Sequence, residues 1–239
     1  MAAKARLGRA HLWLLLPAAA LGALWLAWRA LAMVDFLYPV FYEAMDIDGH
    51  IQHFAPQNRY KSDFQNTTRE ERIRLFSEIV TAIHASGEGL ETLEYHDPDG
   101  RVIDKLLRPP EVGHLKDVAT LVDRLALLGW LAVAWTAAHL VLIRLRGWSL
   151  PTLGWLLGAS GLATAAGVVI VLVLGPRRVF YWLHEVVFPP EHPWFFYYQD
   201  SLMATMMKAP YLFGGIAAVL LVLGLLIYSA ILVLARRIR

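Results

Sequence analysis

The chain has 239 residues, of which 57% are apolar and 18% are charged. A water-soluble domain normally carries about 25% charged residues, so the composition excludes an ordinary soluble enzyme and favours a membrane protein. The formal net charge of +2 is too small to indicate a nucleic-acid partner, and the absence of cysteine excludes disulfides, a thiolate nucleophile and cysteine-ligated metals.

Four apolar segments are long enough to cross a bilayer core of ~30 Å, which takes ~20 helical residues. They lie at about 12–34, 125–143, 153–174 and 212–235. The first segment follows basic residues, but its apolar stretch is longer than the ~7–15 residues of a signal peptide. We interpret it as a retained anchor, so the sequence predicts an α-helical polytopic membrane protein with four transmembrane helices.

Basic residues cluster before the first span, between the second and third spans, and after the fourth. An excess of Lys and Arg marks the cytoplasmic side of a membrane, so both termini are predicted to be cytoplasmic. The predicted domains are 1–34 (first transmembrane helix), 35–124 (extracytoplasmic subdomain), 125–174 (second and third transmembrane helices), 175–211 (aromatic extracytoplasmic segment) and 212–239 (fourth transmembrane helix and cytoplasmic tail).

The first extracytoplasmic segment has the pattern of a small α/β subdomain. Thr67 and Glu70 form a capping-box pattern ahead of an amphipathic helix that ends near Gly87. LETLEY and RVIDKLL are typical of short strands, and the DPDG between them predicts a hairpin turn. We therefore expect a helix followed by a β-hairpin, and then a helix from Glu111 into the second span.

Two histidines, His114 and His184, adjoin apolar runs in the two outer segments. An ionised histidine is costly at such a position, which favours a function or a satisfied hydrogen bond. Asp117 lies three residues after His114 on the same helical face, where it would hold that imidazole in one tautomer. The residues alone leave two interpretations open: catalysis by this trio, or a His184 bonded to a backbone carbonyl and an ordinary surface Asp117.

Other chemistry has less support. No G-x-S-x-G motif, Ser–Lys dyad or cysteine supplies a nucleophile, so acid–base chemistry without a covalent intermediate fits best. The spacing His50-x-x-His53 leaves a zinc site open, but without a helical H-E-x-x-H pattern. His192 is interpreted as a solvated loop residue, and His139 as a packing residue inside the second span.

The second extracytoplasmic segment is rich in aromatic residues. Amphipathic rings are favoured at the headgroup level, and the density of rings here also indicates a surface that contacts lipid. We expect the rings that hold acyl chains to be those of Phe188, Trp194, Phe195 and Phe196.

Two elements resemble the lipoprotein intramolecular transacylase family. The first is E-x-x-H-L-x-D-V at 111–118, ahead of the second of four spans. The second is F-Y-W-L-H-E-V-V-F at 180–188, after the third span, followed by Trp194 and Asp200-Ser-Leu. The resemblance covers nearly the whole chain in the order of its spans and the sizes of its loops.

The resemblance implies an acyltransferase of the inner cell membrane, with its active site on the extracytoplasmic face. It would move the sn-2 acyl chain of a diacylglyceryl lipoprotein to the amine of that lipoprotein's own N-terminal cysteine, giving a lyso-form lipoprotein. The family's paired histidines match His114 and His184, and Asp200 joins the expected substrate-binding residues. Lipoprotein and membrane lipid are the implied partners, with no cofactor and no metal.

This activity agrees with the missing nucleophile. Amine and ester belong to one substrate, so proximity supplies effective molarity, and two histidines with pKa values near the operating pH would act as base and acid. Two other functions stay open, namely a non-catalytic membrane scaffold that binds lipid or lipopeptide, and a metal-dependent membrane hydrolase. A scaffold would keep its function after loss of either histidine.

Overall fold

The computed structural model describes residues 11–237. Their α-helices are α1 (Leu12–Ala32), α2 (Tyr38–Ala44), α3 (Ile47–Phe54), α4 (Arg69–Ile83), α5 (Pro109–Arg146), α6 (Leu153–Leu174), α7 (Pro176–Val187), α8 (Leu202–Met206) and α9 (Tyr211–Arg237). One antiparallel pair of strands, β1 (Glu94–His96) and β2 (Val102–Lys105), lies between α4 and α5.

Four helices, α1, α5, α6 and α9, are long and apolar enough to cross a membrane. The predicted fold class, a multi-pass helical membrane protein with a small sheet, is therefore confirmed. At ~1.5 Å per residue, the 38 residues of α5 span about 57 Å, well beyond a bilayer core of ~30 Å. Its apolar stretch begins at Leu125, so the preceding turns of α5 extend outside the hydrocarbon core. His114 lies on this extension.

Helix α5 begins at Pro109, two residues before the predicted start at Glu111. Proline suits a first helical turn, because the N–H that it lacks would have no partner there. The carboxylate of Glu111 accepts a hydrogen bond, 2.8 Å long, from the backbone N–H of Arg108, the residue before the helix. This bond is the reciprocal half of a capping box, and it stabilises the start of the helix.

The chain divides into two compact units. The membrane unit joins the described residues up to Ala30, Leu125–Val179, and the described residues from Val219 onward. Helices α1 and α5 approach closely within it, since a Cβ on Gly129 would lie 2.2 Å from the ring of Trp25. His139 is buried there, with its Nε2 3.1 Å from the Nδ1 of His11, which agrees with the predicted packing role.

The polar unit consists of Leu31–Arg124 and Phe180–Ala218. Its helix α4 is capped by Thr68, whose hydroxyl accepts a hydrogen bond from the N–H of Glu71 at 3.1 Å. The predicted cap, Thr67 with Glu70, is wrong by one residue. The hydroxyl of Thr67 donates instead to the carbonyl of Phe64 at 2.7 Å.

The predicted hairpin is present, with a shorter first strand. Leu90–Thr92 forms a 3-10 turn, so pairing begins only at Glu94. The turn after β1 depends on Gly100, whose φ of +79° is accessible to glycine at little cost. Tyr95 is fully buried and anchors β1 by donating to the carbonyl of Ser62 at 2.7 Å.

Candidate active site

The first turn of α5 is held by a buried carboxylate. Glu111 accepts a hydrogen bond from the hydroxyl of Ser201, and Ser201 Oγ in turn accepts from the N–H of Ala204 at 2.9 Å, at the start of α8. Burial raises the pKa of Glu111. Sequence reasoning assigned no role to Glu111 or Ser201; the signals were the E-x-x-H spacing before His114 and the serine directly after Asp200.

His184 lies on α7, which follows the third span after a break at Gly175. The φ of Gly175 is +89°, which ends α6 and redirects the chain. The Nδ1 of His184 lies 2.8 Å from the carbonyl oxygen of Phe180. A carbonyl only accepts hydrogen bonds, so Nδ1 carries the proton and Nε2 keeps a lone pair. The carbonyl-bonded alternative is therefore present, and it leaves the lone pair of Nε2 available.

The two predicted histidines face each other. The ring centroids of His114 and His184 lie 6.2 Å apart, and no hydrogen bond joins the rings within the part of the chain that the structure describes. For comparison, the hydrogen-bonded rings of His11 and His139 have centroids 5.3 Å apart. The Nδ1 of His114 is buried and has no hydrogen-bond partner among residues 11–237. The two rings therefore lie close together without a hydrogen bond between them.

An aromatic shell surrounds the pair. The ring centroid of Phe188 lies 5.0 Å from that of His114 and 5.2 Å from that of His184. Trp194 packs on His184 at 4.8 Å, and Phe196 lies 6.1 Å from His114. The structure thus brings three of the four predicted lipid-contacting rings against the histidines themselves.

The remaining two predicted substrate-binding residues lie elsewhere. Phe195 packs against Tyr181 and Tyr197 and is 45% exposed, so it faces the surroundings rather than the histidines. Asp200 forms a two-point ion pair with Arg59, with N–O distances of 2.8 and 3.0 Å. The carboxylate of Asp200 is thus paired with Arg59. A contact between Asp200 and substrate stays a prediction.

Asp117 has a different partner from the expected one. Its carboxylate lies 2.7 Å from the Nδ1 of His192, and no hydrogen bond to His114 occurs within the described residues. The expectation that Asp117 holds the His114 ring is wrong in this respect, because that ring packs against Phe188 and His184. His192 is the exposed loop residue that the sequence predicts, and its bond to Asp117 also ties the segment after α7 to α5.

Burial sets the protonation of both rings. It lowers the pKa of His114 to about 4, with a further lowering by nearby His184 and a smaller opposing effect of the Asp117 carboxylate. Burial also lowers the pKa of His184, opposed by the hydrogen bond to Phe180. Sequence analysis expects pKa values near the operating pH; burial shifts both pKa values downward, which favours the neutral form of each imidazole.

His50 and His53, the pair considered for zinc, both contact the ring of Phe54, with centroid distances of 4.6 Å. His50 also packs against Tyr198, with ring centroids 4.5 Å apart. Within residues 11–237, no group of three or more His, Asp or Glu side chains has an arrangement that could hold a metal ion.

Comparison with known proteins identifies a fold. No family model and no curated protein matches the sequence. Among solved structures, the chain is similar to the membrane-integral lipoprotein intramolecular transacylase Lit from Bacillus cereus, in a form with a histidine-to-arginine mutation. The TM-score is 0.67 at 14% identity, over 98% of this chain and 93% of that one. At this identity, the likeness shows a shared fold.

Proposed function

We propose that this protein is an intramolecular acyltransferase. It moves the sn-2 acyl chain of a diacylglyceryl-modified lipoprotein to the α-amine of the lipoprotein's N-terminal cysteine. The observation that carries the proposal is the pair of imidazoles of His114 and His184, whose ring centroids lie 6.2 Å apart inside an aromatic shell. The fold shared with the transacylase Lit supports it.

The reaction moves one proton within one substrate. The amine nitrogen forms a bond to the sn-2 carbonyl carbon, the ester C–O bond breaks, and the proton lost by nitrogen ends on the sn-2 oxygen. His184 accepts this proton at Nε2, the nitrogen that its bond to Phe180 leaves free. His114 donates a hydrogen bond from a ring N–H to the sn-2 oxygen, and His184 then delivers its proton to that oxygen. No co-substrate is needed for the balance.

The aromatic shell favours transfer over hydrolysis. Phe188, Trp194 and Phe196 pack directly on the imidazoles, which limits the access of water to the reacting carbonyl. The same rings offer an apolar surface for the acyl chains of a substrate that is anchored in the membrane. Since basic residues mark the other side as cytoplasmic, we place this chemistry at the extracytoplasmic face of the inner membrane.

The test follows the acyl chain by mass spectrometry. A synthetic lipopeptide with an N-terminal diacylglyceryl cysteine, deuterated only in its sn-2 chain, is incubated with the purified protein and then treated with mild base. Base removes ester-linked chains and spares amide-linked ones, so a lipopeptide that has not been converted by the protein loses both chains. The product should keep the deuterated chain. A control lipopeptide deuterated at sn-1 should keep none of its label.

Each contrary result favours an alternative. Release of free fatty acid without amide formation would favour the membrane hydrolase. Binding of the lipopeptide without any base-stable chain would favour the non-catalytic scaffold. A deuterated chain found on the peptide of a second, unlabelled lipopeptide would show that transfer occurs between molecules.

A further inference from the structure

A groove lies in the membrane unit at the end where both α5 and α9 terminate. Its volume is about 610 Å³, and Arg144 and Arg237 line it together with five apolar residues of the two helices. The apolar side chains are open to the surroundings, with Leu145 74% and Leu234 49% exposed. The groove belongs to neither the histidine pair nor its aromatic shell.

The groove has a charged end and an apolar interior. Ala137 lines it seven residues before Arg144, which is about 10 Å along the helix at ~1.5 Å per residue. Leu234 lines it one turn before Arg237. Both arginines lie in the last turns of their helices, so the guanidinium groups are near the membrane boundary and the apolar lining lies deeper.

The charge at this end has no counterpart in the membrane unit. Residues 1–30, 125–179 and 219–239 contain no Asp or Glu, so no acidic side chain of that unit neutralises Arg144 or Arg237. The neighbouring Arg236 is different, since it donates to the carbonyl of Leu150 at 3.1 Å. The two groove arginines therefore suit an anion supplied by another molecule.

We infer that the groove binds an anionic phospholipid of the leaflet at this end, which topology predicts to be the cytoplasmic one. The phosphate lies between Arg144 and Arg237, because a guanidinium fork matches phosphate oxygens. One acyl chain lies along the apolar lining toward Ala137. The lipid binds to the folded protein as a ligand, and its binding does not depend on the acyl transfer proposed above.

A matched control is present on the same helix. Arginines near a helix C-terminus also complement the helix dipole, and Arg146 can do this without lining the groove. Arg146→Gln removes the same charge at the same membrane boundary as Arg144→Gln. For the apolar interior, Ala137→Trp fills the groove without a change of charge, and Ala138→Trp adds the same ring at a neighbouring position that does not line it.

Native mass spectrometry of the full-length protein in detergent can measure the binding. The probes are phosphatidylglycerol and phosphatidylcholine with identical acyl chains. The wild type should retain phosphatidylglycerol preferentially. Arg144→Gln and Arg237→Gln should each reduce that preference roughly fivefold, Ala137→Trp should reduce lipid retention, and both control variants should resemble the wild type. Elution volume and thermal midpoint show that each variant is folded.

Three results would overturn the inference. The first is equal retention of the two lipids by the wild type. The second is an equal loss of preference in Arg146→Gln, which would show that the preference depends on positive charge at the membrane boundary and not on the groove. The third is displacement of the lipid by excess inorganic phosphate, which would mean that the site recognises a free anion.

Discussion

The substitution His184→Asn separates the base from the hydrogen bond that orients it. The side-chain N–H of asparagine lies close to the position of the histidine Nδ1, so it can keep the bond to the carbonyl of Phe180. It offers nothing basic at the position of Nε2. Removal of one general acid–base group costs about 10²–10⁴ in rate, or about 3–5.5 kcal/mol of transition-state stabilisation at ~1.36 kcal/mol per tenfold.

The assay is the formation of the base-stable deuterated chain at saturating lipopeptide, which reports kcat. His184→Asn should lose roughly 10²–10⁴-fold in kcat, with an unchanged thermal midpoint. His84→Asn is the control, because the Nδ1 of His84 bonds the carbonyl of Val80 at 2.8 Å with the same spacing of four residues. His84 lies outside the site, so His84→Asn should keep nearly normal kcat.

The histidine pair should also behave as a unit. His114→Ala and His184→Ala act on one transition state, so the double variant should be little slower than either single variant. The reasoning fails if His184→Asn stays within about tenfold of the wild type. It also fails if His84→Asn loses as much activity, since the loss would then report the local hydrogen bond.

The remaining predictions concern lipid contact, pH and topology. Phe195→Ala should raise KM roughly 3- to 10-fold and spare kcat, because we expect its half-exposed ring to contact the lipid chains and it does not pack on the histidines. An isolated loss of kcat would contradict this role. Burial keeps the pKa of His114 at about 4, whereas a histidine in the unfolded chain has a pKa of ~6.5. The unfolded state therefore takes up the proton first, and the free energy of unfolding falls as the pH drops from about 6.5 to about 4. The thermal midpoint of His114→Gln should fall less over that window, and an equal fall would count against the burial effect. In this cysteine-free chain, Ser86→Cys should react with an impermeant thiol reagent from outside and Ser149→Cys only after permeabilisation; the reverse pattern would invert the topology.

Local sequence pattern was sufficient to predict much of the secondary structure of this protein. The four spans follow from the lengths of the apolar runs, because a bilayer core requires ~20 apolar helical residues regardless of the rest of the fold. The hairpin follows from its turn residues, and His114 and His184 were selected by the cost of placing a titratable ring beside an apolar run. The cap of α4 was misplaced by one residue, since two adjacent threonines both fit the pattern and only the contact of Thr67 with Phe64 distinguishes them.

Contacts between distant segments decided the rest. The Nδ1 of His192 bonds Asp117 across 75 positions, and the hydroxyl of Ser201 bonds Glu111 across 90, so neither pairing leaves a periodic signal in the sequence. The pKa of His114 likewise depends on how fully its surroundings remove water, a property of packing rather than of sequence spacing. Local pattern and the family resemblance together therefore selected the candidate side chains, and the basic clusters predicted the side of the membrane expected for them. Tertiary structure decided their partners and their charge, because burial and hydrogen bonding between distant segments exist only after the chain has folded.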